Sequence, residues 1–164
     1  QPYGTAFSKD GRRLALVTDA GWALLWDVEK GRISEQTRVP EAVFISVTLS
    51  PDGETMVTGE DEGSIRLWSL HPLRPIAVLG RHRARVKSVA LPPDGSLVAS
   101  ARDDKRTAIR DLESRTLRAN IGTHTSPVYS IAFSSDGRQL ASGEHDRSVR
   151  LYTLRRTLWG FDLD

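Results

Sequence analysis

The chain has 164 residues, one domain's length on the usual scale of roughly 100 to 200 residues per domain, with 38% hydrophobic and 27% charged residues. That composition excludes a disordered chain, and no apolar run approaches the roughly 20 residues a membrane-spanning helix needs. Zero cysteines exclude a disulfide framework, thiolate-held zinc, iron–sulfur clusters and thiol catalysis, while 23 basic against 21 acidic residues leave a formal charge of +2, which disfavours bulk attraction to nucleic acid or to an anionic membrane.

In chain order, the first strand is expected over Pro2 to Phe7, with counterparts over Phe44 to Leu49, Val86 to Leu91 and Val128 to Phe133. Each alternates between small residues (Gly4, Ser46, Ser88, Ser130, then Ala6, Thr48, Ala90, Ala132) and large ones (Thr5, Val47, Val89, Ile131, then Phe7, Leu49, Leu91, Phe133), which predicts burial on both faces. Two unlike faces predict stacked sheets, the large face of one against the small face of the next. Asp-Gly turns follow at Asp10, Asp52, Asp94 and Asp136, three successive shifts of 42 residues, so four copies fill the chain. Second strands are expected around Leu14 to Val17, Met56 to Gly59, Val98 to Ala101 and Leu140 to Gly143, and then polar turns. Third strands end on the column Trp26, Trp68, Arg110 and Tyr152. A more variable fourth strand, over Ile33 to Thr37, Pro75 to Leu79, Leu117 to Ile121 and Trp159 to Leu163, reads as the outer edge, where the missing N–H of Pro75 is tolerated.

Phe133-Ser134-Ser135-Asp136-Gly137, Leu140-Ala141-Ser142-Gly143, Asp146 and Val149-Arg150-Leu151-Tyr152 together resemble one WD repeat, and Leu49-Ser50-Pro51-Asp52-Gly53 through Trp68 resembles another. The resemblance covers essentially the whole chain. It implies an all-β fold, a WD-repeat β-propeller of four blades with four antiparallel strands each, spanning about 1–38, 39–80, 81–122 and 123–164. It also implies a polar network of His, Ser or Thr, Asp and Trp in each blade. Carried over by position, that network is His124, Ser142, Asp146 and Tyr152 in the fourth blade, and His82, Ser100 and Asp104 with Arg110 for Trp in the third. The second has Pro40, Thr58, Glu62 and Trp68, and the first keeps only Trp26, with Leu16 and Ala20 in the other places. Gly80 and Gly122 stand two residues before their His rather than one.

Ser142, His124 and Asp146 could be taken for a catalytic triad, but Ser100, His82 and Asp104 would duplicate it in the neighbouring repeat, so the set reads as structural, with no catalytic residue and no enzyme. The four His are scattered and Glu60-Asp61-Glu62 reads as a solvated turn, so no metal and no other cofactor is expected. Gly59 and Gly63 flank acids, which would repel a phosphate. Trp26 and Trp68 read as packing residues; Trp22 and Trp159 fall outside that column.

One local departure has functional weight. Arg81-His82-Arg83-Ala84-Arg85-Val86-Lys87 runs into the third repeat, and the resemblance puts it on the same end of the ring as the turn Arg102 to Arg106. Arg81, Arg83, Arg85, Lys87, Arg102, Lys105 and Arg106 therefore form the expected partner-binding cluster, for an acidic or phosphorylated protein or peptide, with Asp103 and Asp104 partly neutralising it. A noncatalytic binding scaffold is the reading; a regulatory segment of a larger sensor, kinase or NTPase is the alternative, and a hydrolase comes third. The chain opens on Gln1 with no signal-peptide pattern, so it reads as processed or cut from something longer, and the cytoplasm is the default compartment. Four blades are not expected to close a ring: further blades of a longer chain, or a second copy, should cover the end faces.

Overall fold

A computed structural model describes residues 1–82, 84–121, 124–157 and 160–163. Arg83, Gly122 and Trp159, singled out above, lie outside the described residues. The fold is all-β, with no helix among the described residues. The first sheet holds β1 (Pro2–Phe7), β2 (Arg13–Thr18), β3 (Trp22–Asp27) and β4 (Arg32–Arg38). The second holds β5 (Phe44–Leu49), β6 (Thr55–Glu60), β7 (Ser64–Leu70) and β8 (Leu73–Arg81). The third holds β9 (Val86–Ala90), β10 (Leu97–Arg102), β11 (Thr107–Asp111) and β12 (Leu117–Ile121). The fourth holds β13 (Val128–Phe133), β14 (Gln139–Glu144), β15 (Val149–Thr157) and β16 (Gly160–Leu163). Within each sheet the strands pair antiparallel in chain order, so every sheet is an up-and-down meander.

The Asp-Gly turns are longer than two-residue hairpins. In the first, Ser8 N–H donates to Arg13 O at 2.9 Å and Gly11 N–H donates to Ser8 O at 2.9 Å. Only the glycine takes positive φ (71° at Gly11, 74° at Gly53, 67° at Gly95, 71° at Gly137), while the Asp acts as an acceptor. The Ser8 hydroxyl and the Arg12 N–H both donate to Asp10 Oδ1, which holds this exposed carboxyl below the usual range.

The sheets stack as the two unlike faces predict, and the structure fixes the direction: the small face of each meets the large face of the sheet that follows. At the first junction Ala15, Val17, Ala23 and Leu25 pack on Phe44, Val47, Leu49, Met56, Trp68 and Leu70. Val57, Ile65, Leu67 and Leu79 meet Val86, Val89 and Val98 at the second, and Ala99, Ala101, Ile109 and Ile121 meet Val128, Ile131, Leu140 and Leu154 at the third. Hydroxyls of the small column cross the gaps. Ser46 Oγ donates to Val86 O at 3.5 Å, and Ser88 Oγ accepts from Ile131 N–H at 3.3 Å.

Burial on both faces fails at the two end sheets, whose outer faces meet no other sheet among the described residues. Tyr3 and Phe7 of the first large face are 56% and 63% exposed, and Val149 and Leu151 on the fourth small face are 71% and 65% exposed. The four sheets therefore form an open, incomplete ring with a large apolar face at one end and a small one at the other.

Candidate functional site

The connections between sheets and the turns between second and third strands lie at one end of the stack. There the second strand finishes on the 42-residue column Glu60, Arg102, Glu144, and the third strand carries the column Arg66, Ala108, Arg150 within its first three residues. In the second sheet Arg66 Nε donates to Glu60 Oε1 at 2.7 Å, and in the fourth Arg150 Nε lies 2.8 Å from Glu144 Oε1. In the third sheet both partners change: Arg102 replaces the acid and Ala108 replaces the arginine.

That exchange reverses the hydrogen bonding of the two histidines. His124 is buried, and its Nδ1 donates to Glu144 Oε1 at 3.0 Å. Its Nε2 lies 3.2 Å from the Thr107 hydroxyl of the preceding sheet and 3.4 Å from the Tyr152 hydroxyl, either of which can donate to it. His82 Nδ1 instead accepts from Arg102 Nη1 at 2.7 Å, which places the imidazole proton on Nε2. Burial first, then the charges of Arg102 and Arg110, push His82 down to about 4, so the ring is neutral at pH 7.

The expected fourth network is corrected in one member. Asp146 does not reach His124; it is exposed in the turn, accepts from Ser148 N–H at 3.0 Å, Ser148 Oγ at 2.6 Å and Thr125 Oγ1 at 3.1 Å, and is held at about 2 chiefly by Ser148. Glu144, two residues earlier and the last residue of β14, takes its place. Ser142 is buried and Tyr152 packs edge-on against His124 at 5.9 Å between ring centroids. In the third sheet Ser100 donates to Ala108 O at 3.4 Å rather than joining His82, and Asp104 is separated from the histidine by Arg102, whose Nη1 lies 3.5 Å from Asp104 Oδ2. The second sheet keeps the other half of the pattern: the Trp68 indole N–H donates to Thr58 Oγ1 at 3.0 Å.

The basic cluster divides into three parts. Arg85 is paired with Asp61, and Lys87 lies 3.6 Å from Asp103 Oδ2 and 5.4 Å from the centroid of the Tyr129 ring. Arg102 is no loop residue; it ends β10 and is 5% exposed. Arg81, Lys105 and Arg106 are exposed and make no ion pair among the described residues. Lys105 and Arg147 take left-handed φ of 65° and 71° at positions where the first two repeats have Gly21 and Gly63, so a long cation stands on a glycine-type turn. Trp22 is half-buried with the Arg38 guanidinium 5.8 Å from its ring. At the opposite end, a shallow cleft between the third and fourth sheets is lined by Pro92, Pro93, Asp136 and Arg138.

The family model for the WD domain, G-beta repeat, matches residues 40–69, 73–111 and 115–153, well over half of the chain. The chain belongs to the WD40 repeat family. Its sheets are propeller blades, and the unmatched first blade is the one that retains only Trp26 of the network residues. No curated protein matches the sequence. Among solved structures the fold is similar to the β-propeller domain of Cps50 (Swd1) from Myceliophteria thermophila, with a TM-score of 0.86, 16% identity, and coverage of 99% of this chain and 56% of that one. The chain thus spans just over half the length of that propeller. WD40 propellers serve generally as noncatalytic protein-interaction scaffolds.

Proposed function

We propose that this chain is a noncatalytic scaffold that binds a protein or peptide partner at the end of the ring carrying the inter-blade connections, through Arg81, Lys105 and Arg106. The observation that carries this reading is their exposure without a carboxylate partner, next to neighbours that are already neutralised. Lys105 adds to it: a β-carbon at φ 65° costs energy that glycine avoids, and the substitution brings a cation to the rim. Such a surface attracts an acidic segment, with an affinity that falls as salt rises. A fluorescent Glu-rich decapeptide is the probe. Its affinity for the Arg81→Ala, Lys105→Ala, Arg106→Ala protein should fall at least fivefold, most clearly in low salt, with an unchanged urea midpoint, since exposed charges contribute little to stability. Equal binding by both proteins would return the cluster to solvent.

The open faces support a second element of the function. Each internal junction joins a small face to a large one, and the chain carries one unused face of each kind, Val149 and Leu151 at one end and Tyr3 and Phe7 at the other. Further blades, from the same longer chain or from a second copy, would cover both in the manner of the three existing junctions. A regulatory segment of a larger sensor, kinase or NTPase would have the same need.

A further inference from the structure

Each end of the stack carries half of a junction. On the large face of the first blade Thr5, Phe7 and Val28 stand where Val47, Leu49 and Leu70 stand one repeat later, and all three are exposed where their counterparts are buried. The small face of the fourth blade has the converse surplus. Val149 and Leu151 continue the columns of Ala23 and Leu25 and of Ile65 and Leu67, all four of which are buried against the blade that follows.

The finer features of a junction are present on the same two faces. Ser46 Oγ and Ser88 Oγ reach Val86 O and Ile131 N–H across closed gaps; Ser130 holds the same column and is exposed, and the first-blade counterparts of Val86 and Ile131 are Pro2 and Thr5. The space above Gly59 is filled by Val86 of the next blade, whereas above Gly143 the nearest atoms lie 4.0 Å away in its own blade. None of these positions carries a charged side chain, so the two faces can close on each other without burying an unpaired charge.

We infer that a second copy of this chain covers both faces, the first blade of each copy docking on the fourth blade of the other, so that two chains close one ring. The pairing rests on the open-face part of the proposed function and uses none of the rim cations. A large face meeting a small one makes a head-to-tail contact, which closes when the rotations sum to a full turn and otherwise grows into a filament. Because this chain spans just over half the length of the similar propeller, two chains supply slightly more than one such ring, and closure needs only a slightly smaller rotation from blade to blade. With strands of six residues at about 3.3 Å each and four strands about 4.8 Å apart, one face covers about 400 Å², so two junctions bury on the order of 1,500 Å² over four faces, the size of a standard stable interface.

Sedimentation of the 164-residue chain between about 1 and about 100 μM tests the pairing. A junction with no charge pair across it sits at the weak end of the affinities that interfaces of this size reach. The dilute chain is therefore expected as a monomer with its end faces open, and the concentrated chain as a dimer, with half-association near about 10 μM. Phe7→Asp and Leu151→Asp change side chains that are exposed in the single chain; each should leave the fold and decapeptide binding intact and weaken association at least about tenfold. Direction is read by cross-linking, which is clean because the chain has no cysteine. Thr5→Cys and Ser130→Cys proteins, mixed and treated with a short bismaleimide, should give linked dimers, and neither should do so alone. A chain still monomeric at about 100 μM, a dimer indifferent to both Asp variants, self-linking of either Cys variant in place of mixed linking, or growth past two copies would each overturn the pairing. A monomer would leave the open faces to further blades of a longer chain. The rim variant should associate as the parent does, so failure of the acidic-segment reading and failure of the pairing are told apart.

Discussion

Replacing Trp68 by alanine tests how much of this molecule is held by its junctions. The indole is fully buried, packs edge-on to Phe44 at 5.6 Å between centroids with a 66° interplanar angle, and donates to Thr58 Oγ1 at 3.0 Å. Truncating a buried aromatic side chain costs about 3 to 5 kcal/mol, and leaving the buried Thr58 hydroxyl without its partner adds about 1 kcal/mol, so a loss of about 4 to 6 kcal/mol is expected. Trp26 occupies the same column one repeat earlier, but on the uncovered end face, where it is only half-buried. Its truncation should cost about 1 to 2 kcal/mol, the value of partial rather than full burial. Urea unfolding followed by circular dichroism reads both. With a slope of about 2 kcal/mol per molar, Trp68→Ala lowers the midpoint by about 2 M or more and Trp26→Ala by less than about 1 M. Equal losses would refute the reasoning, because they would mean that the first large face is as fully covered in solution as the second.

Two further outcomes follow from the same geometry. A Cβ at Gly59 would lie 2.5 Å from both Ser46 Oγ and Val86 Cγ1, whereas at Gly143 the nearest atoms are 4.0 Å away, so Gly59→Ala should cost about 1 to 3 kcal/mol by forcing the second and third blades apart and Gly143→Ala should be close to neutral in thermal unfolding. Glu144→Gln removes the charge that holds both His124 and Arg150 in a site where the carboxylate is fully buried, and should cost about 2 to 4 kcal/mol, while Asp146→Asn in the exposed turn should cost under about 1 kcal/mol; denaturant midpoints that ranked the two the other way would restore Asp146 to the network.

The strand plan was legible because it rests on features that sequence displays directly. A period of two sets the faces, Asp-Gly sets the turns, and an unbroken shift of 42 residues makes each copy check the others. The network was less legible. Glu144 and Asp146 are both acids near the end of one strand, and choosing between them requires knowing that Ser148 and Thr125 capture the Asp146 carboxylate in the turn. Arg102 looked like a loop cation because Asp103, Asp104, Lys105 and Arg106 follow it, yet β10 runs one residue further than expected and turns it inward. The missed signal was the column itself: Glu60, Arg102 and Glu144 on one side, Arg66, Ala108 and Arg150 on the other, a charge exchange repeated in register.

That coupled exchange shows why one junction of a propeller can diverge while the fold persists. Each blade touches only its neighbours, so the free energy of the stack divides into blade and junction contributions, and a change in one junction need not propagate. Putting Arg102 where an acid stands would by itself set two arginines against each other; Ala108 in place of the arginine removes the clash. Putting Arg110 where Trp stands forfeits aromatic burial, and Gly80 supplies the room that the guanidinium occupies. The apolar part of the same junction, Val57, Ile65, Leu79, Val86, Val89 and Val98, remains closed beneath these polar residues. The cohesion of the second and third blades thus resides in the aliphatic layer, leaving the upper rim free to carry charge that stability alone would not select.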